Sequence, residues 1–290
     1  MTCRPFTLLS GTAQDGGYPH VGCNRGCCTR ARADGKLRRL RACLTIVDSE
    51  CGRWWMIDCT PDFPEQLQRL REFDQPGERL DAAGILLTHA HIGHYTGLMF
   101  LGREAMQTHS VPVYAMPRMT EFLRTNQPWN QLAASGNIEL RPLDGMCHTA
   151  LTDRISIVPL PVPHRAEISE TVAFRVTGPT RSVLYLPDID QWDGGDLNVE
   201  QAIADVDVAY LDGTFFSEDE LSDRNMSEVP HPRMTESLRR FGRLPIDERS
   251  KIRFVHLNHT NPALDPHSEA AKQVAAAGMQ IAADGDQIEL

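Results

Sequence analysis

Thr88-His89-Ala90-His91-Ile92-Gly93-His94 is the stretch on which the reading of this chain turns. An apolar strand-like run, Gly84 to Leu87, leads into it, and a helix-like run from Tyr95 follows. Three imidazoles within six residues at a strand-to-helix turn are costly to bury without a function. Imidazole is the commonest zinc ligand and also suits iron and manganese. His89 and His91, two apart on the turn, converge on one ion, whereas His94 opens the helix and points towards a second position.

Working outward, short runs rich in Val, Ile and Leu recur at 5–9, 43–47, 54–58, 84–88, 113–115, 155–160, 171–176, 182–186, 208–211 and 252–257. Helical patterns lie between many of them. Residues 63–73 place Leu67, Leu70 and Phe73 at helical spacing, and 97–106, 119–125, 201–204, 233–241 and 268–277 also suit helices. Paired strands with helices interspersed predict an α+β arrangement of two sheets covered by helices, not one doubly wound parallel sheet. No internal repeat or low-complexity linker appears, so residues 1–290 are read as one domain. The acidic and polar stretch 213–232 is read as a lid.

The chain has 290 residues, 41% hydrophobic and 23% charged, an ordinary balance for a globular protein. Its formal charge of −10 argues against nucleic acid, because phosphate contacts need a basic face. The local basic run from Arg30 to Arg41 is read as a solvated surface stretch, with a small anionic substrate as the other option. No run of about 18 apolar residues predicts a membrane helix. No export signal is visible, so the expected compartment is the cytoplasm. The expected partner is a small-molecule substrate, and a homodimer is left open. Of the eight cysteines, Cys23, Cys27 and Cys28 fall within six residues, which in that compartment reads as metal ligands rather than a disulfide framework.

Further residues follow the histidine motif at strand ends: His164 after Leu160, Asp188 after Leu184 to Pro187, and His256 after Phe254-Val255. Asp58 ends an earlier strand. This ordered set resembles the metallo-β-lactamase superfamily, whose signature is His-x-His-x-Asp-His. The resemblance covers nearly the whole chain and implies a four-layer αββα sandwich. It also implies a metal held by His89, His91 and His164, with Asp188 as a bridge and His94 and His256 at a second position. Three protein ligands with an open position are the pattern of a catalytic ion. Gly93 stands where the superfamily has the aspartate that ligates the second metal, and glycine supplies neither a ligand nor a compensating charge. One firmly bound active-site ion is therefore expected, as zinc, manganese or iron.

Two subfamilies resemble the chain further. Gly11-Thr12-Ala13-Gln14-Asp15-Gly16-Gly17, Leu211-Asp212-Gly213-Thr214 and Thr260-Asn261-Pro262 are similar to the pyrroloquinoline quinone biosynthesis B proteins. The phosphoribosyl cyclic phosphodiesterase of the phosphonate pathway has an N-terminal cysteine cluster and a histidine three residues after its last active-site histidine, which hold a structural zinc. Cys23, Cys27 and Cys28 with His259 match that set here. Adjacent Cys27 and Cys28 require an unusual backbone to share one ion, so either one, or His20, completes it.

The leading expectation is a metallo-hydrolase acting on a small ester-like or phosphodiester substrate through a metal-bound water, since a bound ion lowers the pKa of water to about 7. Asp188 or Asp58 would orient ligands or accept a proton. His231, in Val229-Pro230-His231-Pro232, would donate one, and Glu167 is either a surface carboxylate or a group that holds substrate. Two alternatives stand beside it: an oxidative non-haem iron enzyme like the quinone-biosynthesis proteins, and a non-catalytic metal-binding protein.

Overall fold

A computed structural model describes residues 4–73, 81–221 and 229–290. One sheet contains β1 (Phe6–Gly11), β2 (Cys43–Asp48), β3 (Arg53–Ile57), β4 (Asp81–Leu86), β5 (Val111–Ala115) and β6 (Ile138–Pro142). The other contains β7 (Thr149–Ala150), β8 (Ser156–Pro161), β9 (Val172–Thr177), β10 (Ser182–Leu186), β11 (Val208–Asp212), β12 (Ile252–Val255) and β13 (Gln280–Ile281). The last strand, β14 (Gln287–Glu289), returns to the first sheet beside β1. The orders are β14-β1-β2-β3-β4-β5-β6 and β13-β12-β11-β10-β9-β8-β7. Each sheet passes from antiparallel pairing at one end to parallel pairing at the other.

Side chains that alternate between two buried environments build the layers. On β3, Trp55 and Ile57 enter the core between the sheets, while Trp54 and Met56 face Phe63 and Leu70 of α2 (Phe63–Leu70) and Met119 and Leu123 of α4 (Pro117–Thr125). On β10, Val183 and Tyr185 face the other sheet. Leu184 and Leu186 face outward to α6 (Val199–Ala204), α7 (Met234–Phe241) and α9 (Glu269–Ala276). Period-2 strands buried on both faces read as near-continuous apolar runs, and helices on both outer faces complete the αββα sandwich.

The differences from the sequence reading are local. Residues 97–106 form a 3-10 segment, Thr96–Leu101, followed by turns, instead of an α-helix. Here Gly97 presses against the chain at Thr60, whose carbonyl oxygen would lie 2.1 Å from an added Cβ. The edge strand β6 is half polar and ends in proline, and β7, β13 and β14 are two or three residues long, too short for a pattern to form. Of the stretch read as a lid, 222–228 lie outside the described residues. Its ends are packed into the body, with Thr214, Phe215, Phe216 and His231 all buried. Among the described residues no helix is long and apolar enough to cross a membrane.

This topology aims the carboxyl ends of β3, β4, β8, β10, β11 and β12 at one edge of the sandwich. Asp58, His89, His164, Asp188, Asp212 and His256 stand there, at or just beyond those strand ends. Binding sites in open α/β sheets gather at the same kind of edge. Asp58 and His256 have φ of 70° and 61°, left-handed conformations that cost a non-glycine residue about 1–3 kcal/mol. Both turn the chain sharply so that a side chain faces the edge.

Candidate metal centre

Four donors converge first: His89, His91, His164 and Asp188, each offering one atom within 4.8 Å of the others. His91 Nδ1 lies 2.9 Å from His89 Nε2 and 3.2 Å from His164 Nε2. Asp188 Oδ2 is 3.4 Å from His89 Nε2 and 3.3 Å from His164 Nε2. Asp188 was read as the bridge between two positions. Its Oδ2 also lies 3.9 Å from His94 Nε2 and 3.8 Å from His256 Nε2.

The imidazoles are held from behind. Thr88 Oγ1 donates its proton to Asp58, so it accepts from His89 Nδ1 at 2.9 Å, which leaves the His89 Nε2 lone pair facing the cluster. His94 Nδ1 donates to Asp58 Oδ2 at 2.7 Å, and His164 Nδ1 donates to Asp190 Oδ1 at 2.7 Å. Thr214 Oγ1 pairs with His256 Nδ1 at 2.9 Å. Such outer partners fix ring tautomer and orientation for metal binding. Asp58 therefore stands behind His94 and Thr88 and does not join the donor cluster itself.

Burial and neighbouring charges set the ionisation. Burial pushes His89 well below the usual histidine range, with His94 adding to it, and burial pushes His91 down to about 4. For His94 burial opposes the charged form, yet Asp58 and Asp15 hold it well above the usual value. His164 is raised against the cost of burial by Asp188 and Asp190. Asp188 is held low despite burial by His256, His164 and His231.

Beyond Asp188 lies a second group: Asp15, His94 and His256. Asp15 Oδ1 is 3.1 Å from His94 Nε2 and 3.5 Å from His256 Nε2. Asp15 enters from the turn after β1, and its carboxylate fills the space beside Gly93. A Cβ on Gly93 would meet Asp15 Oδ1 at 2.2 Å and Cγ at 2.6 Å. Gly93 leaves the second position with no motif carboxylate and only the shared Asp188 expected there; the structure places Asp15 beside it from elsewhere in the chain.

The cysteine cluster stands apart. Cys23, Cys27 and Cys28 Sγ lie 3.8, 3.5 and 3.3 Å from His259 Nδ1. Cys27 and Cys28 occupy the first turn of α1 (Gly26–Ala33), and the structure brings both sulfurs to the same nitrogen. His20 lies against the His259 ring at 4.5 Å between centroids, and its Nδ1 pairs with the Val21 carbonyl. Burial pushes the Cys28 thiol up to about 12 and the His259 imidazole down to about 4. Cys23, Cys27 and Cys28 are all free thiols.

A model of the beta-lactamase superfamily domain matches residues 53–257, the span from β3 to just past His256. The chain belongs to this superfamily. Coenzyme PQQ synthesis protein B of Nitrosococcus oceani is 28% identical over 313 residues, covering 97% of this chain and 98% of that protein. The Azoarcus sp. protein of the same name is 29% identical over 310 residues, covering 97% and 98%. Among solved structures, Zn(2+)-bound PqqB from Methylobacterium extorquens aligns with a TM-score of 0.83 at 22% identity, over 98% of this chain and 100% of that one. A diphosphatase from the PhnP family aligns with a TM-score of 0.69 at 22% identity, over 100% and 98%. Both structural likenesses are likenesses of fold.

Within the superfamily frame, a cavity of about 510 Å³ opens between the two centres. Arg165, Phe215 and His231 line one side, and Cys23, Arg25 and His259 the other. His231 Nδ1 is 2.8 Å from Asp212 Oδ2 and 3.4 Å from Asp188 Oδ1. Burial opposes its charge, but Asp212 and then Asp188 push it up to about 9. Glu167 is exposed and lines a narrow cleft beside His89 and His91. Nothing in the sequence marks Asp190, and Asp212 stands out only within the Leu211-Asp212-Gly213-Thr214 resemblance; their partners lie 26 and 19 residues away. Asp15 stands in the sequence only as part of a glycine-rich motif, where nothing local marks it as a neighbour of His94.

Proposed function

We propose that this chain is a metal-dependent hydrolase of small anionic ester or phosphodiester substrates. The observation that carries this reading is the four-donor cluster of His89, His91, His164 and Asp188, with its rings fixed from behind, beside a cavity bordered by Arg165 and His231. An ion bound there supplies Lewis acidity and lowers the pKa of water. Arg165 offers a guanidinium to a phosphoryl or carboxylate oxygen of the substrate. With its Nδ1 on Asp212, protonated His231 gives its other ring proton to the leaving oxygen as general acid. We assign the cysteine cluster with His259 to a zinc that ties α1 to the segment after β12. A screen of phosphodiester, lactone and thioester substrates with zinc- or manganese-loaded protein tests the proposal. Turnover lost on chelation and in His89→Ala is the expected result.

Full-length similarity to Coenzyme PQQ synthesis protein B favours one other reading, an oxidative step in the making of that coenzyme with iron in the histidine cluster. Iron in aerobically purified protein, with substrate-dependent oxygen uptake and no hydrolysis, would favour it over ours.

A further inference from the structure

We propose that Asp15 is a metal ligand: with His94, His256 and the shared Asp188 it holds a second divalent cation, taking in space the place the superfamily's motif aspartate takes in sequence. This rests on reading the four-donor cluster as a metal site and adds a second ion to it. Buried polar atoms find partners in nearly all folded proteins. Here Asp15 Oδ1, His94 Nε2 and His256 Nε2 are buried without a hydrogen-bond partner, and both histidines are 1% exposed. Asp15 Oδ1 lies 3.1 and 3.5 Å from the two imidazole nitrogens, and a shared cation satisfies all three atoms at once.

The exchange with Gly93 is geometric. Asp15 Oδ1 occupies the volume where a side chain at 93 would begin, so the two positions cannot both carry a carboxylate without displacement. The backbone holds Asp15 in place. Gln14 N donates to the Leu257 carbonyl at 3.0 Å, Leu257 N to the Thr12 carbonyl at 2.9 Å, and Ala42 N to the Ala13 carbonyl at 2.8 Å. Leu257 follows His256, so this pairing sets Asp15 and His256 in register. Arg41 Nε donates to the Asp15 carbonyl at 2.5 Å, and Arg41 is fixed in turn by Asp62 at 2.7 Å. Two neighbouring divalent ions repel strongly unless anions lie between and around them. Asp15 and Asp188 supply these at the ligands, and Asp58 and Asp190 from behind.

Metal content decides the question, independently of activity. Metal-free protein is reloaded with zinc, or with manganese, and its bound ions are counted and titrated. Wild type should hold an ion in each of the three clusters. Asp15→Asn keeps the shape and removes the charge. It should lose one active-site ion, with affinity at that position lowered by more than the roughly 10–100-fold cost of losing an outer-shell partner, while the cysteine-site ion stays. Manganese-loaded wild type should show an exchange-coupled pair by electron paramagnetic resonance, and the variant an isolated ion. His256→Asn should remove the same ion from the opposite side, so a folding failure of one variant leaves the other as the test. A wild type that takes only one active-site ion, or an Asp15→Asn protein that keeps the coupled pair, overturns the proposal. If both ions bind as described and no ester or phosphodiester is cleaved, the hydrolytic reading fails and Asp15 stands.

Discussion

The edge of strand ends and the cysteine cluster use the same residue type, histidine, in opposite ways. At the strand ends each ring has its back to a fixed partner: Thr88 for His89, Asp58 for His94, Asp190 for His164 and Thr214 for His256. The opposite nitrogens gather around the Asp188 carboxylate, 3.3–3.9 Å from its Oδ2. At the cysteine cluster, His259 turns Nδ1 to three sulfurs, and the ring of His20 lies against it. Cys23, Cys28 and His259 lie within 4.8 Å of one another, with Cys27 Sγ 3.5 Å from the same His259 nitrogen, and a closed Cys/His set of this kind would leave no place for substrate. On the function proposed above, the first arrangement would keep ligand geometry while a position stays open, and the second would close a loop onto the body. Removing a ligand should therefore cost activity at one centre and stability at the other.

The sharpest break would come from His164→Ala. Its Nε2 lies 3.2 Å from His91 and 3.3 Å from Asp188, so its loss leaves the cluster short of a donor. We expect activity to fall to background and one ion to be lost, with the cysteine-site zinc retained. Metal analysis beside a substrate assay checks this, and full activity in the variant would remove His164 from the site.

Cys23→Ser should do the reverse. Zinc content should drop by one ion, and the melting temperature should fall by roughly 3–5 °C if the lost stabilisation is about 2–3 kcal/mol. Cys23 also borders the cavity, so a rise in KM would accompany the loss. Calorimetry with zinc analysis decides; an unchanged zinc content would mean that the thiol is not a ligand.

These two centres were legible in the sequence for the same reason: their ligands sit in short motifs. His89, His91 and His94 are packed into one turn, and Cys23, Cys27 and Cys28 into six residues. His164, Asp188 and His256 stood out because each follows an apolar strand in the order that resembles the metallo-β-lactamase superfamily, and the two-sheet architecture showed through runs such as Trp54–Ile57 and Ser182–Leu186. Asp15 was hidden. It reaches His94 by a contact 79 residues away in the chain, and the absence of a motif carboxylate at Gly93 is meaningful only when the space beside it is seen to be filled. The role of Asp190 behind His164, and of Asp212 behind His231, was hidden likewise, because a carboxylate that backs an imidazole has no spacing rule of its own.

Asp190→Asn tests the claim that backing partners matter at the strand-end centre. The amide keeps the size but accepts less strongly from His164 Nδ1, so ring basicity and orientation both suffer. Loss of such a partner costs about 10–100-fold in metal affinity. We expect that range for one active-site ion and no change at the cysteine site, read by competition with a chelator. Equal affinity in both proteins would mean that the Asp190 contact is incidental.

The smallest expected effect is on pH. Of the three histidines in the four-donor cluster, burial holds His89 and His91 low, so both are proton-free at neutrality. His164 is raised by Asp188 and Asp190, so of the three it is the one that holds its proton to the highest pH in the metal-free protein. An incoming cation must displace that one proton. Below the raised value of His164, apparent affinity therefore falls about tenfold per pH unit as acidity increases; above it the dependence levels off. Titrations from about pH 6 to about pH 8, in buffers of differing ionisation heat, measure both the slope and the proton released. Asp190→Asn removes a carboxylate that raises His164, so it should flatten the slope near neutrality even as it weakens binding. A slope of two or more protons would place further charge on His89 or His91, against their burial. A flat profile in the native protein would show that His164 is already neutral before the ion arrives.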